Sequence, residues 1–298
     1  MEMEGIRGVS DQSQVVQARD ELHVYEAKRT GLPPLRQYFR ELIQRWPFAA
    51  EFSRSSIRAA NTDTVLGRIW LILNPLLLAV VYFILVIVLS QTKLEDPMGK
   101  LANICCGLFI FFMVSGSISS GAGAVTSGGS LITRLAFPRL LMPYAAVRTA
   151  LYRFFPTVPV YFVLRAFTKA PWSWNMLLAV AFLVLIVIFA AGLAAMMATF
   201  QVYFRDTSSF LPYVLRIWLY LSPILWAVER ADFSLWYWQV ERFGNPLFSL
   251  IGGWNELLQT GTIPDLTTWL MAAIWALVSI VTGSLLFMSR ERDFTVRL

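Results

Sequence analysis

The sequence predicts an all-α integral membrane protein with six transmembrane helices, an N-terminal amphipathic helix at the membrane interface and a re-entrant external hairpin before the last helix. Three observations carry this. Apolar residues make up 57% of the chain and charged residues only 15%, against roughly 25% charged in an ordinary soluble domain. Four charge-free runs, Ile69 to Ser90, Leu101 to Thr133, Ala170 to Phe204 and Leu266 to Ser289, are each long enough to cross a hydrocarbon core of about 30 Å as a helix. With the N-terminus inside, 19 of the 25 Lys and Arg residues fall on segments facing the cytoplasm, the asymmetry that places both termini there.

The elements follow in order. Residues 1–34 are polar and mixed in charge and read as a cytoplasmic tail, with His23 solvated within it. Residues 35–60 form the interfacial helix: Leu35, Tyr38, Phe39, Leu42, Ile43 and Trp46 recur at helical spacing, and Arg36, Arg40 and Arg45 fall on other faces. Pro47 is expected to break it, with Phe48, Phe52 and Ile57 continuing a second apolar stripe. Residues 61–298 form the membrane domain. Between the four long runs, Leu140 to Leu164 contains Pro143, Pro156, Pro159, Arg148 and Arg153 and reads as an irregular third span. Asp206 to Val228, interrupted by Pro212 and Pro223, reads as a short fifth. Trp172, Trp174, Trp226, Trp236, Tyr237 and Trp238 sit where amphipathic rings favour the outer interface. Phe243 to Asn255 is apolar for only thirteen residues and contains Asn245-Pro246 and Gly252-Gly253. That is too short to span, so it reads as a re-entrant segment beside a pathway.

Composition also excludes chemistry. Cys105 and Cys106 are adjacent within an apolar run and His23 is the only histidine, so no metal-ligand spacing or disulfide framework can be built. No Gly-x-x-x-x-Gly-Lys-Ser/Thr motif is present; only Lys100 directly follows a glycine, and Leu101 comes next. The carboxylates Asp63 and Asp206 are isolated, with no paired Asp for metal and sugar nucleotide, which argues against a membrane glycosyltransferase. The net charge of +6 is explained by loop topology, and no nucleic-acid partner is expected. In the second span Gly116, Ser120, Ala124 and Gly128 repeat at four-residue spacing, which suits close helix packing; a hinge at the same place is the bolder reading.

Five landmarks in order along the membrane part carry a family resemblance. They are Val65-Leu66-Gly67-Arg68-Ile69-Trp70 with Asn74-Pro75, Leu131 to Pro143, Tyr203-Phe204-Arg205-Asp206, Ser222-Pro223-Ile224, and Asn245-Pro246-Leu247. Together they resemble the transmembrane, or permease, subunit of ABC-2-type polysaccharide exporters, the branch that exports O-antigen, teichoic acid or mycobacterial galactan. The long tail before Leu35, and Leu135 and Ala136 ahead of Phe-Pro-Arg, depart from the family's usual pattern.

The resemblance implies a homodimer of six-helix subunits in a bacterial plasma membrane, coupled to two copies of a separate ATP-binding subunit. That partner would bind ATP and Mg, with no cofactor in this chain. It implies a polyprenyl-diphosphate-linked polysaccharide as substrate, galactan being the narrower expectation. A small-molecule or teichoic-acid exporter of the same superfamily is the alternative reading. It also implies that the first cytoplasmic loop docks on the ATP-binding subunit, through Thr133, Arg134, Phe137, Pro138 and Arg139, with Arg205 and Asp206 as a smaller second contact. Aromatic rings stack on sugar faces, so Tyr82, Phe109, Phe112, Tyr220 and Trp226 are candidate channel residues. Arg153 is a candidate for a lipid diphosphate, although its side chain could equally snorkel to the interface.

Overall fold

The computed structural model describes residues 34–61, 66–90, 96–128, 137–168, 170–226 and 234–297. His23, Asp63, Thr133 and Arg134 lie outside the described residues. Regular structure among the described residues is helical throughout. Four stretches, Trp70–Val88, Pro97–Ser127, Trp174–Tyr203 and Leu266–Asp293, are long and apolar enough to cross a membrane. The chain is an all-α membrane protein.

Helices α1 (Leu35–Gln44) and α2 (Trp46–Asn61) make up the amphipathic segment. The helix breaks at Arg45, two residues before the expected position, because Pro47 falls in the first turn of α2, where an N–H would have no partner anyway. One apolar stripe, Tyr38, Leu42 and Ala49, is buried against the protein, and Ser53 Oγ donates to the Ala145 carbonyl at 3.0 Å. A second, with Phe39, Ile43 and Trp46, is exposed beside the exposed Arg36, Arg40 and Arg45. The segment therefore has two apolar faces, one against the bundle and one exposed.

A left-handed turn at Gly67 (φ 49°) leads through a 3-10 turn into α3 (Trp70–Ser90). Helix α4 (Pro97–Ser127) starts where the Asp96 carboxylate accepts from Gly99 N at 2.9 Å, a side-chain cap with proline at the first helical position. It is the central helix: 72% of its span is buried, against 6% for α3. The expected third crossing is two helices, α5 (Leu141–Phe154) and α6 (Thr157–Ala166). Pro156 cannot donate to the carbonyl four residues back, so the helix parts there, and Thr157 Oγ1 donates to the Phe154 carbonyl at 2.7 Å.

Helix α7 (Ala179–Tyr203) is followed by the short α8 (Thr207–Leu221), then by α9 (Trp236–Gly244), α10 (Pro246–Gln259) and α11 (Leu266–Arg290). Helix α10 is the expected hairpin segment. Leu247 to Asn255 are all buried, enclosed by α4, α7 and α11. A Cβ on Gly253 would overlap the ring of Phe182. Two of the proline motifs interlock here. Asn245 caps α10 by accepting from Leu247 N at 3.1 Å, and the same carbonyl oxygen accepts from Trp218 Nε1 at 2.8 Å. The backbone opened at Ser222-Pro223 presents the Pro223 carbonyl, which accepts from Asn255 Nδ2 at 2.8 Å. Arg165, one residue past the predicted third span, is 2% exposed. Its guanidinium donates to the carbonyls of Gln259 at 2.9 Å and Pro171 at 2.7 Å, and lies 5.6 Å from the Trp172 ring. Carbonyls at the C-terminal end of α10 carry the negative end of that helix dipole.

The closest helix approach is between α7 and α11. A Cβ on Gly283 would overlap the Gly192 carbonyl, and one on Gly192 would overlap the backbone of Ser279. Ser279 Oγ donates to the Phe189 carbonyl at 2.8 Å across the same seam. On α4 the close contact falls at Gly121, packed against Ala194. The expected ridge is in close contact only at its end: Gly116 meets only Ala150 at ordinary distance and Ser120 is exposed, but a Cβ on Gly128 would overlap the Met142 side chain. Substituting Gly283→Leu is expected to cost about 3 kcal/mol, since an overpacked core must displace backbone. Gly123→Ala, with only the Ser127 hydroxyl nearby at 3.8 Å, should be near neutral. Thermal unfolding midpoints of the two variants in detergent check this.

Candidate functional site

Two features stand out, a groove along one side of the bundle and a polar node at one end. The groove lies between α3, α4 and the α5–α6 pair, with a volume of about 670 Å³. On α3, Ala79 belongs to the main hydrophobic core and Leu76, Tyr82, Phe83 and Val86 pack against it. Trp70, Leu71, Asn74 and Pro75 form one wall, and Phe109, Phe112, Gly116 and Ser120 another. Pro75 has no N–H to give the Leu71 carbonyl, and Leu71, Asn74 and Pro75 all line this wall. Arg153 lines the third side and makes no hydrogen bond or ion pair among the described residues. An unpaired cation flanked by aromatic rings can receive an anion such as a phosphate, with the rings as a platform for an apolar or sugar face.

Three of the six expected channel residues, Phe109, Phe112 and Arg153, thus meet in one groove. Tyr82 and Tyr220 face each other from α3 and α8 with ring centroids 6.1 Å apart. Trp226 packs on Trp238 at 5.1 Å and on Phe248 at 6.0 Å, away from the groove.

The node is centred on Glu291, in the 3-10 turn Glu291–Asp293 that follows α11. Its carboxylate accepts from Tyr38 Oη at 2.6 Å and from Arg139 N at 2.7 Å. The Arg139 guanidinium donates to the Glu291 carbonyl, and Leu140 N donates to Tyr38 Oη at 3.3 Å. Burial, and then the adjacent Glu291 carboxylate, push the Tyr38 phenol well above its usual range, so it remains a donor. Beneath the node, Tyr38, Leu42, Leu140, Leu141, Met142, Phe287 and Phe294 form a second hydrophobic cluster. Phe137 lies against Phe48 of α2, ring centroids 5.7 Å apart. Two residues on, Asp293 accepts from Tyr203 Oη at 2.8 Å, and the Arg297 guanidinium lies 4.2 Å from the Tyr203 ring. Arg205 and Asp206 are exposed in the adjoining turn between α7 and α8. The described part of the first loop, Phe137-Pro138-Arg139, and the turn at Arg205-Asp206 are therefore gathered at the same end by one short segment.

Sequence reasoning missed Tyr38, Glu291 and Asp293 as partners in this node. Tyr38 reads as one more apolar position of the amphipathic helix, and the two carboxylates sit in an Arg-rich terminus that reads only as topology. No spacing signals a contact across 253 residues.

No protein-family model matches the chain. It is 26% identical over 258 residues to the O-antigen export system permease protein RfbA of Myxococcus xanthus, covering 86% of this chain and 96% of that protein. It is 25% identical over 216 residues to the protein of the same name from Klebsiella pneumoniae, covering 71% and 80%. The chain is similar along most of its length to these O-antigen export permeases. The resemblance drawn from its five motifs is borne out, and each of those motifs has a structural place in this fold. Asn74-Pro75 lines the groove, Arg139 of the first loop enters the node, Tyr203 holds Asp293, Pro223 accepts from Asn255, and Asn245 locks α8 to the hairpin.

Glu291→Ala would leave the buried Tyr38 hydroxyl and Arg139 N–H without an acceptor. At about 1–3 kcal/mol for each orphaned group, the contact between α1 and the bundle should loosen. Limited proteolysis should then cut near residues 35–45 much faster than in the parent protein, and Tyr38→Phe should give a smaller increase.

Proposed function

We propose that this chain is the membrane-spanning subunit of an ATP-driven exporter that carries a polyprenyl-diphosphate-linked polysaccharide across the bacterial plasma membrane. The observation that carries the reading is the match along 96% of an O-antigen export permease, which leaves little of that architecture unaccounted for. The groove supports it: a lone arginine suits a diphosphate, and Phe109 and Phe112 beside it suit the sugar or lipid that the diphosphate joins. In this reading the split pair α5–α6 and the short α8 are the third and fifth crossings, making six, with both termini in the cytoplasm as the loop charges require. Helix α10 is the re-entrant segment, tolerable at membrane depth because protein surrounds it. Galactan is the narrower substrate to test first.

Energy comes from a separate ATP-binding subunit, two copies serving a homodimer of this chain. Its docking face comprises Phe137, Pro138 and Arg139 with Arg205 and Asp206, together with Thr133 and Arg134 of the same loop. The node ties that face to α1 and α11, so a push on the loop moves the interfacial helix and the last helix together. The work in the chain is positional: Arg153 holds charge, the aromatic walls orient the ligand, and the enclosed hairpin keeps the outer end closed.

The experiment is co-expression with the ATP-binding subunit and assay of ATPase activity in nanodiscs. The chain alone should be silent and the complex active. Arg205→Glu, at an exposed position, should weaken docking by about 2 kcal/mol, roughly thirtyfold in affinity, without lowering thermal stability. Failure of the chain to bind any ATP-binding subunit would overturn the reading. Orientation is checked by an impermeant maleimide on whole cells: Thr262→Cys should react and Ser289→Cys should not, against a quiet background because Cys105 and Cys106 are buried.

A further inference from the structure

Helix α1 carries an apolar arc wider than the bundle covers. With Tyr38 as origin and a turn of about 100° per residue, Leu42 stands at about 40°, Leu35 at about 60°, Phe39 at about 100° and Ile43 at about 140°. Tyr38 and Leu42 are buried, while Leu35, Phe39 and Ile43 are exposed, Ile43 at 70%. The next two positions round the helix, at about 160° and 200°, are Arg36 and Arg40, both exposed. Arg45, at the break before α2, is exposed as well. The one acid on α1, Glu41, lies beyond the arginines at about 300° and accepts from Gln37 Nε2 at 3.1 Å. None of the three arginines pairs with a carboxylate among the described residues.

A half-exposed apolar arc edged by unbalanced positive charge fits the surface of a membrane whose headgroups are anionic. With Phe39 and Ile43 at the hydrocarbon boundary, Arg36 and Arg40 come level with the phosphates. We infer that α1 is a contact for anionic phospholipid headgroups, and that this contact steadies the Glu291 node from the other side of the same helix. The apolar arc supplies most of the affinity, and the arginines supply the selectivity for charge. The link to the node is the helix itself. Ten residues are too few to hold a helix alone in water. The arginines therefore gather on one edge only while α1 is formed, and Tyr38 meets Glu291 and Leu140 only in that state. Two partners of one folded state strengthen each other reciprocally. Leaflet charge thus bears on the loop that carries Arg139; that this loop meets the ATP-binding subunit rests on the export reading.

The test uses the full chain in phosphatidylcholine nanodiscs, with and without a share of phosphatidylglycerol, and reads amide hydrogen exchange. Phosphatidylglycerol should slow exchange over residues 35–44 about tenfold or more, since each arginine near an anionic surface contributes roughly fivefold, and added salt should remove the effect. The amides of Arg139 and Leu140, which donate to Glu291 and to Tyr38 Oη, should slow with it, and Tyr38→Phe should uncouple them from lipid charge. The combined variant Arg36→Gln, Arg40→Gln, Arg45→Gln should lose the response while keeping its thermal midpoint and its exchange in pure phosphatidylcholine; Lys at the same three positions should retain it. Equal exchange in the two lipids, or a response that survives the combined Gln variant, would overturn the contact. So would exchange that ignores lipid and slows only when the ATP-binding subunit is added, which would make the face a protein interface. Slowing over residues 35–44 with none at Arg139 and Leu140 would overturn the link to the node. None of these lipid comparisons requires the ATP-binding subunit: its failure to bind would overturn the export reading and leave the lipid contact standing, and an active complex whose α1 ignores lipid charge would do the reverse.

Discussion

The fold hangs on the place where α7 and α11 meet backbone to backbone. In lipid there is no hydrophobic drive to bring two apolar helices together, so association depends on how closely they can pack and on the hydrogen bonds they exchange. Gly192 and Gly283 remove the side chains that would hold the backbones apart, and the Ser279 hydroxyl bonds across the gap to Phe189. Gly121 brings α4 onto α7 in the same way, against Ala194. With those three helices fixed, α10 can be enclosed among them, and α3 is left on the outside with a groove beneath it.

Around that rigid centre the functional features arise where regular backbone is interrupted. Where proline interrupts a helix, the backbone and side chains at the break need partners in a medium that offers no water. At the Ser222-Pro223 break the Pro223 carbonyl accepts from Asn255; at the Asn245-Pro246 corner the side chain of Asn245 ties α10 to Trp218. Pro75 lines the groove that Arg153 also lines, and the break between α5 and α6 at Pro156 lies beside it. Irregular backbone and cavity thus occur together because each makes the other tolerable.

The Glu291 node has a different logic. It joins segments far apart in sequence, α1, the first loop and the end of α11, through a half-buried carboxylate with donors from two of them. Removing the carboxylate would leave the buried Tyr38 hydroxyl without its acceptor. The hydrophobic cluster below keeps water away and makes the three segments one body.

The sequence by itself determined the membrane-protein class, the four long helices, the amphipathic segment and the family resemblance, because hydrophobic run length, helical periodicity and turn residues are local properties. It also marked Phe109, Phe112 and Arg153 individually. What only the tertiary structure decided is which of these meet. On α4 the contact with α7 falls at Gly121 rather than at Gly116 or Ser120, because a one-residue shift turns a helix position by about 100° and only a neighbouring helix selects the face. Arg165 is buried and Tyr38 reaches Glu291 for the same reason: burial and long-range pairing depend on how helices are arranged in space, and no spacing along the chain encodes that arrangement.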